Sequence, residues 1–323
     1  MATAAPSQST ARPRLLDLWD KLGMVVVFMV MFAVLSVCVP NFFSLVNMKG
    51  LALSVATVGI IACTMMFCLA AGDFDLSIGS VVAMAGVLAA IIINKTGSVA
   101  LGISVAVLAG GLVGFINGFV IARLGINALI TTLATMQIVR GAAYIVSDGK
   151  AVGIREEKFF QLGISDFGGI PTPVWIMTLC FVVFGLMLHK SVFGRYALAI
   201  GGNKLAAGFA GISVPKTKIA IFTLQGLIAG FAGVILAARF TSGQPKTAEG
   251  LELQVISACV LGGVSLTGGV ANIVGVVVGV FIMGTVNNAM NLKNVDAFWQ
   301  YVVSGGILLA AVLFDRMKQQ VRR

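Results

Sequence analysis

Apolar residues run along this chain in long continuous stretches, such as 25–39 and 59–71. They lack the short alternating pattern of a membrane β-barrel. A bilayer core takes about 20 helical residues, fewer where a helix is broken or short. Turns and charges divide the runs into ten segments: 22–39, 51–71, 77–93, 99–122, 126–147, 173–189, 217–238, 253–264, 270–288 and 298–314. The stretch 253–264 is too short to cross alone and reads as a half-helix or part of a longer tilted one. The pattern predicts an all-α, polytopic integral membrane protein of about ten transmembrane or half-spanning helices. Its parts are a polar segment 1–21, a membrane domain 22–317 with a long loop at 190–216, and a tail 318–323. The first run ends in Val39-Pro40-Asn41-Phe42-Phe43 rather than a small-residue cleavage site, so it reads as a retained span.

Composition agrees. Apolar residues make up 59% of 323 and charged ones 11%, less than half of the roughly 25% usual in soluble domains. The net charge of +10 is scattered through short loops with no basic helix or aromatic platform, which argues against nucleic acid. With the N-terminus inside, one side holds Arg12, Arg14, Lys21, Arg123, Lys190, Arg195, Lys204, Lys216, Lys218, Arg316, Lys318, Arg322 and Arg323 against five acidic residues. The other holds eight basic residues against seven acidic, and Arg140 lies within a span. Since cytoplasmic loops are the basic ones, both termini are expected in the cytoplasm. Cys38, Cys63, Cys68, Cys180 and Cys259 lie in or beside apolar runs and suit packing better than a disulfide framework. One histidine, His189, and no clustered ligands give no metal site.

Three stretches carry candidate chemistry. In the loop 190–216, Asn203 suits a helix N-cap, 204–210 spans two turns, and Gly211 supplies a left-handed stop. Such a short helix either docks into a cleft of another protein or rests on the headgroups. In Gly72-Asp73-Phe74-Asp75-Leu76-Ser77, Asp75 or Ser77 caps the next helix, with the carboxylates wet at the inner interface, or the group lies on a pathway. Gly262-Gly263-Val264-Ser265-Leu266-Thr267-Gly268-Gly269 sits at a comparable break and echoes it. Asn117, Thr131, Thr132, Thr135, Gln137, Gln225, Asn287, Asn288 and Asn291 are uncharged polar residues on spans, suited to a neutral hydroxylated solute or to helix–helix hydrogen bonds. Glycines at 110, 114 and 118, and at 275 and 279, permit close helix approach. Arg140 either snorkels outward or pairs with a neighbour such as Gln137.

The loop 193–214 resembles the cytoplasmic coupling segment of permease subunits in bacterial ATP-binding-cassette sugar importers, the ribose, xylose, galactose and arabinose group. The run 72–80, Ser242-Gly243-Gln244-Pro245 and the run 260–269 resemble other signatures of the group, and 126–141 with 147–154 most resemble its L-arabinose branch. The resemblance covers about residues 22–317. It implies a pentose importer, for L-arabinose, in the bacterial inner membrane. It also implies a second permease copy, a cytoplasmic ATPase and a periplasmic sugar-binding protein as partners. Gly201, Gly202, Asn203, Ala206, Ala207 and Gly211 are then expected to couple to the ATPase. Asp73, Asp75, Ser77, Asn117, Thr131, Thr135, Gln137, Gln225, Asn287 and Asn288 are the pathway or gating candidates. The chain has no phosphate loop of its own, because Gly149-Lys150 is followed by Ala151. It is therefore expected to be no enzyme and to bind no cofactor, with ATP and Mg2+ used by the partner. The rival readings are ion-coupled secondary transport, which calls for intramembrane ionisable relays, and the same importer type for ribose, xylose or galactose.

Overall fold

The computed structural model describes residues 14–321. The segments 1–13 and 322–323, with Arg12, Arg322 and Arg323 of the charge count and the last two residues of the expected tail, lie outside the described residues. The described chain forms α1 (Arg14–Cys38), α2 (Leu45–Ala70), α3 (Ile78–Thr96), α4 (Val99–Arg123), α5 (Ala128–Val146), β1 (Val152–Gly153), α6 (Glu157–Ile164), β2 (Asp166–Phe167), β3 (Ile170–Pro171), α7 (Thr172–Lys190), α8 (Val192–Gly202), α9 (Lys204–Phe209), α10 (Val214–Phe240), β4 (Ser242–Gly243), α11 (Leu251–Leu261), α12 (Ile273–Leu292) and α13 (Ala297–Val321). Among the described residues, seven helices are long and apolar enough to cross a membrane. Three shorter apolar stretches, Gly23–Cys38, Leu251–Leu261 and Phe298–Leu313, stand beside them. Each predicted segment coincides with one of these ten, and 253–264 is the half-length α11.

Boundaries moved where charge had suggested a loop. Helix α2 starts six residues before the predicted 51, because Ser44 Oγ accepts the Asn47 N–H at 3.3 Å and opens the helix there. Lys49 lies inside α2, where its ammonium sits 3.5 Å from Asp166. The loop 190–216 is mostly the two helices α8 and α9. The excursion after α5 folds into α6 and a β2–β3 hairpin that turns on Gly168 and Gly169, both with positive φ. Strand β1 pairs antiparallel with β4 beside it.

Helices α2 and α10 form the core. From Val55 to Ala70 nearly every residue of α2 is buried, which accounts for its apolar character on all sides. Helix α10 packs against α4, α3 and α2. The glycines at 110, 114 and 118 line the α4 side of this contact, opposite Gly226, Phe222 and Ile219. A Cβ on Gly114 would fall onto the Phe222 carbonyl, and one on Gly118 would lie 2.7 Å from the Ile219 Cα. Gly275 and Gly279 bring α12 equally close to Gly262 and Ala258 of α11. In lipid, where apolar helices gain nothing by hiding from the solvent, such backbone approach supplies the packing. Both stripes pack within the chain. Ile130, Ile138 and Ile145 on α5, and Val302, Leu309 and Leu313 on α13, stay exposed as surface for lipid or another chain.

Gly114→Val forces overlap with the α10 backbone and is expected to destabilise the bundle by about 3 kcal/mol or more. A clearly lowered melting temperature in detergent checks this. Gly141→Ala, on α5 with open space around it, should melt like the parent.

Candidate functional site

Two helix breaks meet at one end of the bundle, and both are built alike. After α2, Gly72 takes a φ of +79°. Its N–H donates to Leu69 O at 2.9 Å and the Asp73 N–H donates to Cys68 O at 3.0 Å. After α11, Gly263 takes a φ of +82°. Its N–H donates to Val260 O at 2.8 Å and the Val264 N–H to Cys259 O at 3.0 Å. This is the glycine-terminated helix end in which the last carbonyls are satisfied by the returning chain. Each break then makes a side-chain turn. Asp75 Oδ1 accepts the Ser77 N–H at 2.9 Å, and Ser265 Oγ accepts the Thr267 N–H at 3.3 Å. The breaks also touch, with the Gly269 N–H donating to Ala70 O at 2.9 Å. The echo read in the sequence is thus a repeated backbone geometry.

The first break gathers several of the predicted polar residues. Asp75 and Ser77 are almost fully buried. The Ser77 hydroxyl donates to Asp75 Oδ1 at 2.6 Å and accepts from Asn117 Nδ2 at 3.0 Å. The Thr135 hydroxyl donates to Asn117 Oδ1 at 2.7 Å. One continuous chain of polarised hydrogen bonds therefore ties α5, α4 and the start of α3 together. Of the two candidate caps, Asp75 acts and Ser77 makes no cap bond of its own. Asp73 lies 2.6 Å from the Lys218 ammonium on α10, and both side chains are about a tenth exposed. The wet carboxylates expected at an interface are instead buried and paired, because the α2–α3 turn folds under α10 rather than into solvent.

Beside these breaks stand α8 and α9. Asn203 Oδ1 accepts the Ala206 N–H at 2.9 Å and opens α9, and Gly211, with a φ of +85°, follows it. Gly202, Asn203, Ala206 and Gly211 face outward. Gly201 is half-buried and Ala207 buried. Ala207 is 4% exposed. Gly201 presses on both breaks, since a Cβ there would collide with the Ala70 carbonyl and the Gly269 amide. The outward apolar residues of α9 are Leu205 and Phe209, 75% and 92% exposed. The sequence analysis did not single them out, because the side of so short a helix that meets the bundle is set by its packing angle and not by spacing.

The other candidates lie apart. Thr131 and Thr132 bond back to carbonyls of their own helix region, Asn127 and Ala128, and Gln137 is exposed on α5. Asn288 exchanges paired amide hydrogen bonds with Asn47 at 2.8 and 2.9 Å, joining α12 to α2. Asn291 accepts from Gln300 and links α12 to α13. Gln225 is fully buried on α10, and neither atom of its amide has a hydrogen-bond partner among the described residues. Asn287 lines a groove between α11, α12 and α13. Arg140 neither snorkels nor meets Gln137. Its guanidinium donates to the carbonyls of Pro245 and Thr247 at 2.7 and 2.8 Å, pinning a loop that dips beside α3.

Ten apolar helices around two touching breaks, with a short helix pair set against them, describe a polytopic membrane permease. Residues 47–312 match the family described as branched-chain amino acid transport system / permease component, and the chain belongs to that family. It is 58% identical to the L-arabinose transport system permease protein AraH of Escherichia coli (strain K12) over 99% of this chain and 97% of that one. It is 56% identical to the L-arabinose ABC transporter permease protein AraH of Azospirillum brasilense over 99% and 94%. To the ribose import permease protein RbsC of Escherichia coli (strain K12) it is 37% identical over 91% and 93%. No solved structure matches it.

Lys218→Met leaves the Asp73 carboxylate buried without its partner and is expected to cost about 3–5 kcal/mol. Adding Asp73→Asn removes the stranded charge and should recover most of that loss. Melting temperatures of the two single variants and the double variant in detergent test this coupling.

Proposed function

We propose that this chain is the membrane-spanning permease subunit of an ATP-driven, binding-protein-dependent importer of L-arabinose in a bacterial inner membrane. The observation that carries this reading is 58% identity along nearly the whole length to a protein named for L-arabinose transport, against 37% to one named for ribose import. In this reading two copies form the transmembrane unit. The excursions 148–172 and 239–252 receive the loaded binding protein, and a cytoplasmic ATPase, which binds ATP and Mg2+, grips α9.

The geometry offers a physical route for coupling. Leu205 and Phe209 are apolar knobs one turn apart on a capped helix, which a cleft in a partner protein would bury. Any displacement of α9 moves α8, and Gly201 on α8 bears on the carbonyl of Ala70 and the amide of Gly269. Both breaks would then shift together. Because Asp73 is neutralised by Lys218 and Asp75 is held by Ser77, these carboxylates serve the joint, which favours ATP over ion-driven transport. Packed glycine contacts are stiff, so a displacement is transmitted rather than absorbed.

Cells lacking this chain should regain uptake of radiolabelled L-arabinose when it is restored, with loss of uptake on ATP depletion. Blockage by unlabelled arabinose but not ribose fixes the sugar. Uptake that ignores ATP would overturn the mechanism, and uptake of a different sugar would overturn only the substrate. Phe209→Glu is expected to keep the parent melting temperature, since the side chain is exposed, and to reduce ATPase co-purification by about tenfold or more, as for loss of a central apolar anchor.

A further inference from the structure

From 241 to 250 the chain forms no helix and runs along α3 instead. It leaves α10 at Thr241, whose φ is +54°, and makes β4, which pairs with β1 of the excursion 148–172. The Ile154 N–H donates to Thr241 O at 3.0 Å. Asn94, near the end of α3, holds the same excursion by donating to Gly153 O at 2.7 Å and accepting the Arg155 N–H at 3.1 Å. Gly243 then crosses the middle of α3, where a Cβ on it would lie 2.7 Å from the Val87 Cα. Further on, the Ala248 carbonyl stands 2.5 Å from where a Cβ on Gly79 would be. From Gly86 to Gly79, α3 itself spans about 10 Å at 1.5 Å per residue. Gly79 follows closely on Ser77, so the segment ends against the first break and its polar network.

This path is held, not merely allowed. Ala248 has a φ of +59°, the left-handed region, although it carries a side chain. Such a conformation persists where the surroundings over-determine it. Arg140 supplies part of that constraint, because its Nη1 alone donates to the carbonyls of both Pro245 and Thr247, on either side of Lys246. Arg140 and Thr135 share α5, so one helix grips the segment through the first and the Asn117 end of the network through the second.

We propose that segment 241–250 carries the docking of the loaded binding protein inward to the first break, and that Arg140 is the positioning residue that makes it stiff enough to do so. The proposal rests on the reading of the chain as a binding-protein-dependent importer and adds to it the path from the outer excursions to the ATPase side. A displacement of β1 and β4 presses Gly243 on the backbone of α3 and Ala248 on Gly79. The first break meets the second through Ala70 and Gly269, and Gly201 of α8 bears on both. Contacts of backbone on backbone have no rotamer by which to yield, so the push is passed on. Coupling between two sites is reciprocal, so nucleotide bound to the ATPase should in turn be felt at the segment.

Two experiments on the full importer, reconstituted with its ATPase and binding protein, test this path. Arg140→Met removes both hydrogen bonds and keeps a long side chain. It is expected to retain the basal ATPase rate and to lose about tenfold of the stimulation by the loaded binding protein, a loss typical of coupling between sites, with uptake of labelled L-arabinose falling alike. Arg140→Lys, whose ammonium can donate to both carbonyls, should recover part of it. Parental stimulation in Arg140→Met, or equal loss of the basal and stimulated rates, would overturn the proposal. For the second, Lys246→Cys, exposed on the segment, is labelled with a polar maleimide in a background with the exposed Cys38 changed to serine. A non-hydrolysable ATP analogue with Mg2+, the binding protein left out, should change the labelling rate about threefold or more. An unchanged rate overturns the proposal, and this measurement decides alone if Arg140→Met does not assemble. A wild-type complex whose ATPase ignores the loaded binding protein would instead remove the importer reading beneath it.

Discussion

A peptide group inside a bilayer has no water to bond with, so any interruption of a helix must find partners for its freed amides and carbonyls within the protein. This chain interrupts its helices twice at neighbouring points and solves the problem the same way each time. A left-handed glycine turns the chain back, so that Cys68 and Leu69, like Cys259 and Val260, keep their carbonyls occupied. A short side chain then accepts the next free amide. One remaining carbonyl, that of Ala70, is taken by the amide of Gly269 in the opposite break. The two interruptions are therefore joined by backbone, and α8 can pack against them only because residue 201 has no side chain.

The same demand shapes the polar interior. Four side chains from three elements, Asp75, Ser77, Asn117 and Thr135, form a connected network. The Asp73–Lys218 pair keeps two charges buried without leaving either uncompensated. Arg140 does comparable work at the other side of the membrane domain, where a loop descends along α3 with carbonyls that have no helix to receive them. Polar residues in this bundle are concentrated where the backbone departs from a continuous helix. Among the described residues, Gln225, Asn287, Ser80 and Thr285 lie within continuous helices and keep buried polar atoms without a hydrogen-bond partner.

Much of this was legible before the structure, and the reasons differ by feature. The ten apolar segments stood out because a lipid-facing or deeply packed helix excludes charge along its length. The Asn203 cap and the Gly211 stop were legible because both are local, decided by residues within three or four positions. The start of α2 was misplaced because Lys49 looked like a loop residue, and its partner Asp166 lies on an excursion more than a hundred residues away. Arg140 was expected either to snorkel outward or to pair with a neighbour such as Gln137, whereas its acceptors are the carbonyls of Pro245 and Thr247. In the α8–α9 region Gly201 and Ala207 turn inward while Leu205 and Phe209 turn out. Which face of a short helix meets the bundle depends on the angle at which it packs, and periodicity alone does not state that angle.

By itself the sequence determined a helical membrane protein, its ten segments, the places where helices break and the glycine stripes that allow backbones to meet. These follow from composition and from the conformational preferences of single residues, which act over a few positions. The tertiary structure alone decided that the two breaks touch, that the carboxylates beside the first are buried rather than wet, that α9 presents a leucine and a phenylalanine, and that Asn287 and Tyr301 share a groove. The first two join residues more than a hundred positions apart, and the last two depend on how a helix is turned against its neighbours. Their proximity is fixed by the packing of whole helices, a collective balance that no short stretch of sequence contains.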